Sequence, residues 1–342
     1  MSGSTGAVVI VSWRRRCSNA GALRLRAARR RGGLRTARWW VAAAIAAAGL
    51  LGGATEARAL GGTVLQGFDP PSDPFAYVVT EGAKALEPGA FFAAVYCGWA
   101  LGPLRVPGVR EKERRERLIQ EAHEIDLVGG LGLLPLGFGS LEVGFALPVL
   151  VRIRGYGGGK GYREWGVGDV RVEAKAELLD RDEDVVGVAL RVAVACPSAT
   201  LEREELYGNA GGLAVLAEAA VERRVGAFRA GLTLGYEWIE YSADLGEATI
   251  DDRLEIAAGF GFAPLFDLRG FEPLELVFEV RHAVRAADPY ASEAEAPVEL
   301  CGAIRWSDMG SRFFGLAGGS TGLNDGAGAP ERRFFAALGF GF

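Results

Sequence analysis

The stretch Val167-Gly168-Asp169-Val170-Arg171-Val172-Glu173-Ala174-Lys175-Ala176-Glu177-Leu178 sorts its residues onto two faces. Its even positions are apolar or small, whereas Asp169, Arg171, Glu173, Lys175 and Glu177 at the odd positions are all charged. Successive side chains of an extended chain point to opposite sides, so this spacing predicts a β-strand with one apolar and one polar face. A helix would scatter the same residues around its axis.

The alternation continues outward from this stretch. Val186, Val188, Leu190, Val192 and Val194 oppose Gly187, Ala189, Arg191, Ala193 and Ala195. Phe228, Ala230, Leu232, Leu234, Tyr236 and Trp238 oppose Arg229, Gly231, Thr233, Gly235 and Glu237. Three further runs, centred on Ala258, Phe278 and Gly302, repeat the scheme. With fainter runs at 89–100, 119–133, 140–153, 211–222 and 312–320, and the last at 331–342, the spacing predicts about twelve strands, ten to fourteen at the limits. Strands of this length in even number are what a closed antiparallel transmembrane β-barrel requires. The connections agree: expected long loops near 101–118, 154–166, 197–210, 240–251, 285–296 and 321–330 alternate with turns at 134–139, 180–184, 222–226, 263–273 and 307–311. Bacterial barrels carry short periplasmic turns and longer outer loops. Tyr236 and Trp238 at one end and Trp306 at the other sit where interfacial aromatic girdles are expected.

The final run, Glu331-Arg332-Arg333-Phe334-Phe335-Ala336-Ala337-Leu338-Gly339-Phe340-Gly341-Phe342, places Phe334, Leu338, Phe340 and Phe342 on one face. An open edge here would leave unpaired backbone groups, so this strand is expected to pair with the first and close the sheet. The expected inward face carries Asp169, Arg171, Glu173, Lys175, Glu177, Arg229, Glu237, Arg253, Glu255, Glu279, Arg281, Glu299 and Arg305 among Gly and Ala.

These residues resemble those of bacterial outer-membrane β-barrels, and Phe334, Leu338, Phe340 and Phe342 resemble the C-terminal signal read by the barrel-assembly machinery. The run Gly139-Ser140-Leu141-Glu142-Val143-Gly144-Phe145-Ala146-Leu147-Pro148-Val149, followed by Gly166 to Lys175, is similar to the barrel region of OmpA-family proteins of Gram-negative bacteria, notably myxobacterial ones. Phe68-Asp69-Pro70 is similar to the start of those barrels. No peptidoglycan-binding domain follows residue 342 in this sequence, so cell-wall anchoring is not carried over. The resemblance implies outer-membrane lipid and lipopolysaccharide as surroundings, the assembly machinery and periplasmic chaperones as partners in biogenesis, and no nucleic acid.

Residues 1–59 read as an address. They hold eleven Arg and one acid, Glu56, whereas the remainder has 27 basic and 42 acidic residues, a formal charge of −15. The Arg-rich run, the apolar stretch Trp39–Leu51 and the small-x-small site Ala57-Arg58-Ala59 follow the order of a secretory signal peptide. The apolar stretch is too short for a membrane anchor. Residues 60–88, punctuated by Pro and Gly, are expected as a periplasmic extension, a lumen plug or one more short strand, and 89–342 as the barrel.

Composition argues against most chemistry. Gly is 50 of 342 residues, roughly twice ordinary usage, which suits a β-protein with close strand packing. His123 and His282 are the only histidines, and neither has a serine two positions on, so no nucleophile and base are paired and no enzyme is expected. Tyr156 to Tyr162 lacks the spacing of a phosphate-binding loop. The charge run 110–117 reads as a solvated loop, with contact to lipopolysaccharide phosphates as the alternative. Cys97, Cys196 and Cys301 fall on strands that are not neighbours, so no disulfide framework is expected, and no cofactor or metal is implied. The favoured function is passive passage of small polar solutes; the alternative is a structural or surface-binding barrel with a closed, salt-bridged lumen. A soluble exported β-sandwich is the rival fold.

Overall fold

In the computed structural model, the structure describes residues 68–71, 76–104, 119–136, 139–157, 160–182, 184–200, 212–240, 242–245, 248–263, 274–292, 295–307 and 313–341. Among the described residues fifteen strands are formed: β1 (Phe91–Leu104), β2 (Ile119–Leu136), β3 (Gly139–Gly157), β4 (Lys160–Val167), β5 (Val170–Leu179), β6 (Gly187–Cys196), β7 (Ala214–Val225), β8 (Phe228–Ile239), β9 (Ala243–Leu245), β10 (Ala248–Ile250), β11 (Arg253–Phe262), β12 (Glu275–Arg285), β13 (Val298–Ser307), β14 (Phe313–Gly322) and β15 (Arg332–Gly341).

Twelve of them, all but β4, β9 and β10, pair antiparallel with their neighbours in one cylinder. The last closes it on the first, with Phe92 opposite Gly341 through to Leu101 opposite Arg332. Closure removes the sheet edges, which is what allows strands to cross a bilayer. Ten residues at about 3.3 Å each, tilted by about 40°, span roughly 25 Å, the height of the apolar band of such barrels.

Alternation decides which residues face which way. Along β8, from Phe228 to Ile239, exposed Leu232, Leu234, Tyr236 and Trp238 alternate with buried Arg229, Thr233, Gly235 and Glu237. The same inversion runs around the cylinder: Phe145, Val172, Ile256, Phe278 and Ile304 are about half exposed while Glu173, Lys175 and Glu279 are buried. An apolar belt of this extent has no place in water. Phe334, Leu338 and Phe340 lie on this outer face, and Phe342 lies outside the described residues.

Two expected loops contain strands. Residues 154–166 form the outer part of a long hairpin, with Gly155 opposite Tyr162 and Gly157 opposite Lys160. The glycine-rich run carries no alternation because glycine has no side chain to assign to a face. In 240–251 a short hairpin pairs Ala243 with Ile250. Pro148, which has no N–H to give, sits where β3 changes partner from β5 to β4, and its carbonyl accepts the Gly168 N–H at 2.9 Å. The segment 1–59 with Ala57 and Ala59, the run 110–117 and most of the turn at 263–273 lie outside the described residues.

Candidate functional site

The lumen of this cylinder is the candidate site, and its half nearest the short turns is filled by the chain's own residues 76–86. Ala76, Tyr77, Val78, Thr80, Glu81, Ala83, Ala85 and Leu86 are all buried there. This strap has no regular secondary structure, so its backbone groups need other partners. Wall carboxylates supply them. Glu279 on β12 accepts the N–H groups of Val78, Val79 (3.0 Å) and Thr80 (2.7 Å). Glu222 on β7 accepts that of Ala83 at 3.1 Å, and Glu142 on β3 that of Leu86 at 2.8 Å. The strap's carbonyls are met by donors: Arg305 reaches Ala76 and Tyr77 (2.8 Å to the latter), Arg229 reaches Ala76 at 3.3 Å, and the Thr233 hydroxyl donates to Glu81 at 3.3 Å.

Two side chains of the strap fit prepared places. Tyr77 lies across β8 and β11 where both carry glycine: a Cβ on Gly231 would stand 2.7 Å from its ring and one on Gly259 2.6 Å. The Arg229 guanidinium lies 4.1 Å from the ring centre, a cation–π contact. Burial pushes the Tyr77 phenol well above its ordinary value. Glu81 accepts from Lys175 at 2.7 Å and faces Arg191 at 3.7 Å. At the turn end, Lys84 pairs with Asp182 at 2.7 Å, and its hydrogen bond holds the Asp182 carboxyl below the usual range. Further toward the loop end, Phe68 stacks on Phe335 at 5.1 Å and Arg171 engages Asp69 and the Pro70 carbonyl (2.8 Å to the latter).

The inward residues anticipated from the alternation divide between two levels. Glu173, Lys175, Glu177, Arg229, Glu279 and Arg305 surround the strap or its anchors; Asp169, Arg171, Glu237, Arg253, Glu255, Arg281 and Glu299 line a cavity of about 100 Å³ on its loop side. They are joined across strands: Arg253 to Glu237, Arg281 to Glu255 at 2.8 Å, Arg229 to Glu275 and Arg191 to Glu173 at 2.6 Å. The alternation-based list omits Glu81, Asp126, Glu142, Arg191, Glu222 and Glu275. Arg191 had a legible signal, being the one charge on a face of Gly and Ala. Glu142 and Glu222 had less, since their importance comes from the strap.

Compared with solved structures, the chain is similar to the COG4313 outer membrane channel from Pseudomonas putida F1, with a TM-score of 0.57 at 15% identity over 79% of this chain and 99% of that one. The chain has the fold of an outer-membrane β-barrel. A weaker likeness, TM-score 0.39 at 10% identity over 73% of this chain and 89% of the other, is to the transport unit of the autotransporter AIDA-I from Escherichia coli. No protein-family model and no curated protein matches the sequence.

Among the described residues, each histidine has an aromatic ring and an oxygen atom as neighbours. His123 stacks on Trp99 at 5.8 Å with its Nε2 2.8 Å from Glu121, and His282 Nδ1 lies 3.0 Å from the Pro297 carbonyl. Cys97, Cys196 and Cys301 are free thiols on β1, β6 and β13. Among the described residues, no three His, Cys, Asp or Glu side chains group so as to hold a metal ion.

Proposed function

We propose that this protein is a channel for small polar solutes in the outer membrane of a Gram-negative bacterium, closed in this conformation by residues 76–86 and opened when the strap leaves. The observation that carries the reading is the character of the wall behind the strap. Glu142, Lys175, Arg191, Glu222, Glu279 and Arg305 are buried or nearly so against it. A permanently filled core is more stably built from apolar side chains, because burying charges costs several kcal/mol per ion even when they are paired. A charged wall suits a lumen that is at times hydrated, where those groups line a water-filled path. Export by residues 1–59, insertion through a signal at Phe334, Leu338, Phe340 and Phe342, and contact with lipopolysaccharide belong to the same reading, as does the OmpA-like character of residues 139–175.

The test is conductance of the mature chain, residues 60–342, in a planar bilayer, with folding checked by a heat-dependent gel shift. Discrete ion-conducting steps are expected, brief in the intact chain and longer when the strap is weakened. Silence under both conditions would favour the second reading, a structural barrel, for which the dense ion pairing between strap and wall speaks.

A further inference from the structure

The loop end of the cylinder carries a one-sided band of arginine on its outer face. Along β3 the outward side chains are apolar from Val143 through Phe145, Leu147 and Val149 to Val151, and Arg152 and Arg154 follow. The rise from Val143 to Arg152, at about 3.3 Å per residue and a tilt of about 40°, is about 23 Å, so Arg152 stands where the apolar band of such a barrel ends. The strand registers gather its neighbours. Arg152 is opposite His123, which is opposite Trp99, and Arg154 is opposite Glu121 on one side and Arg163 on the other. On the far side of β1, Phe334 is opposite Trp99 and Arg332 opposite Leu101. Arg154, Arg163 and Arg332 are exposed, as are Trp99 and, at 81%, Trp165. Glu164, between Arg163 and Trp165, is turned to the other side, opposite buried Ile153. Glu121 is engaged within the band: it accepts the Trp99 indole N–H at 3.2 Å, has His123 Nε2 at 2.8 Å and lies 3.9 Å from Arg152. No ion pair holds Arg154, Arg163 or Arg332 among the described residues. On the outward positions of β5 to β14 the one described basic residue is Arg223, at the turn end of β7. In a chain whose residues 60–342 carry a formal −15, such a gathering of cations stands apart.

We propose that this band binds a phosphorylated glycolipid of the outer leaflet, with a lipid phosphate received by Arg152, Arg154 and Arg163 and the acyl chains laid along the adjoining apolar belt. Guanidinium groups match phosphate oxygens in geometry as well as charge. Indole rings such as those of Trp99 and Trp165 settle at the boundary between headgroup and hydrocarbon. Basic residues at headgroup level are the usual means of holding an anionic lipid. A soluble anion would meet the arginines alone and gain nothing from the belt beside them. The inference deepens the reading above by placing its lipid contact on named residues, and it rests on the outer-membrane placement rather than on conduction.

The experiment is native mass spectrometry of the folded mature chain in zwitterionic detergent, titrated with bisphosphorylated lipid A and, as control, with dioleoylphosphatidylcholine. Saturable binding of lipid A is expected, with a clear preference over phosphatidylcholine that falls as ammonium acetate is raised, because salt screens exposed charges. The double variant Arg154→Gln, Arg163→Gln is expected to weaken lipid A binding roughly tenfold, while Arg223→Gln leaves it unchanged. Excess inorganic phosphate is expected to displace little of the bound lipid. Should the double variant fail the gel-shift test of folding, the salt dependence of the wild-type chain carries the test. Equal binding of the two lipids, insensitivity to salt, unchanged affinity in the folded double variant, an equal loss in Arg223→Gln, or full displacement by inorganic phosphate would overturn the proposal. Lipid A binding with silent bilayers would retain the site and remove the channel; conducting steps without a preference for lipid A would do the reverse.

Discussion

Removing the Glu279 side chain should free the strap while leaving the cylinder closed. In Glu279→Ala the N–H groups of Val78, Val79 and Thr80 lose a shared acceptor. Hydrogen bonds to a charged acceptor contribute about 1.5–3 kcal/mol each, so three of them bound the loss at roughly 9 kcal/mol. Part of that is returned, because the variant no longer buries a carboxylate, and three buried N–H groups left without an acceptor, at the lower end of about 1–3 kcal/mol each, net about 3–5 kcal/mol. At about 1.4 kcal/mol per factor of ten, the docked strap should weaken by two to nearly four powers of ten. Amide hydrogen exchange reads this directly. Protection across residues 76–83 should fall by about that factor, while strands β5 to β8, whose ladders do not involve Glu279, should keep theirs. Unchanged protection in the strap would show that the carboxylate does not hold it. A matching loss in β5 to β8 would show that strap and barrel form one cooperative unit, which would refute the reasoning.

Gly259→Ala, whose new Cβ would meet the Tyr77 ring at 2.6 Å, should destabilise the docked strap by about 1–3 kcal/mol, as overpacking does; Tyr77→Ala in the same chain should cancel that added cost, measured by the same exchange experiment. Glu81→Gln should loosen Lys175 and Arg191 together, since both face that carboxylate, and lengthen channel openings in bilayer recordings. The depressed Asp182 carboxyl implies that the Lys84 contact is complete above the ordinary aspartate value of about 3.9 and is lost as pH falls through the lower folded value; Lys84→Ala should return the Asp182 titration, followed by NMR, toward that ordinary value.

Much of the cylinder was legible because its message is local. A period of two over ten residues needs no knowledge of neighbours, and Asp169 to Glu177 or Arg229 to Glu237 reveal their faces by spacing alone. The hairpin at 154–166 was not legible, because Gly155, Gly157, Gly158, Gly159 and Gly161 leave the alternation unwritten. Ion-pair partners were likewise hidden. Arg191 meets Glu173 and Glu218 because the registers of β5, β6 and β7 bring Ala193 opposite Glu173 and Arg191 opposite Glu218.

The amino-acid order by itself determined the strand alternation, the apolar outer belt, the charged inner face and the closing strand, since each follows from which way consecutive side chains point. Only the tertiary structure decided that residues 76–86 occupy the lumen. The strap is recognised mainly through its peptide groups, which every residue but proline possesses in full, so its docking leaves almost no mark on its own sequence. The marks are on the wall: Glu142, Glu222, Glu279 and Arg305 become a binding surface only when the closed cylinder brings strands far apart in the chain around one axis.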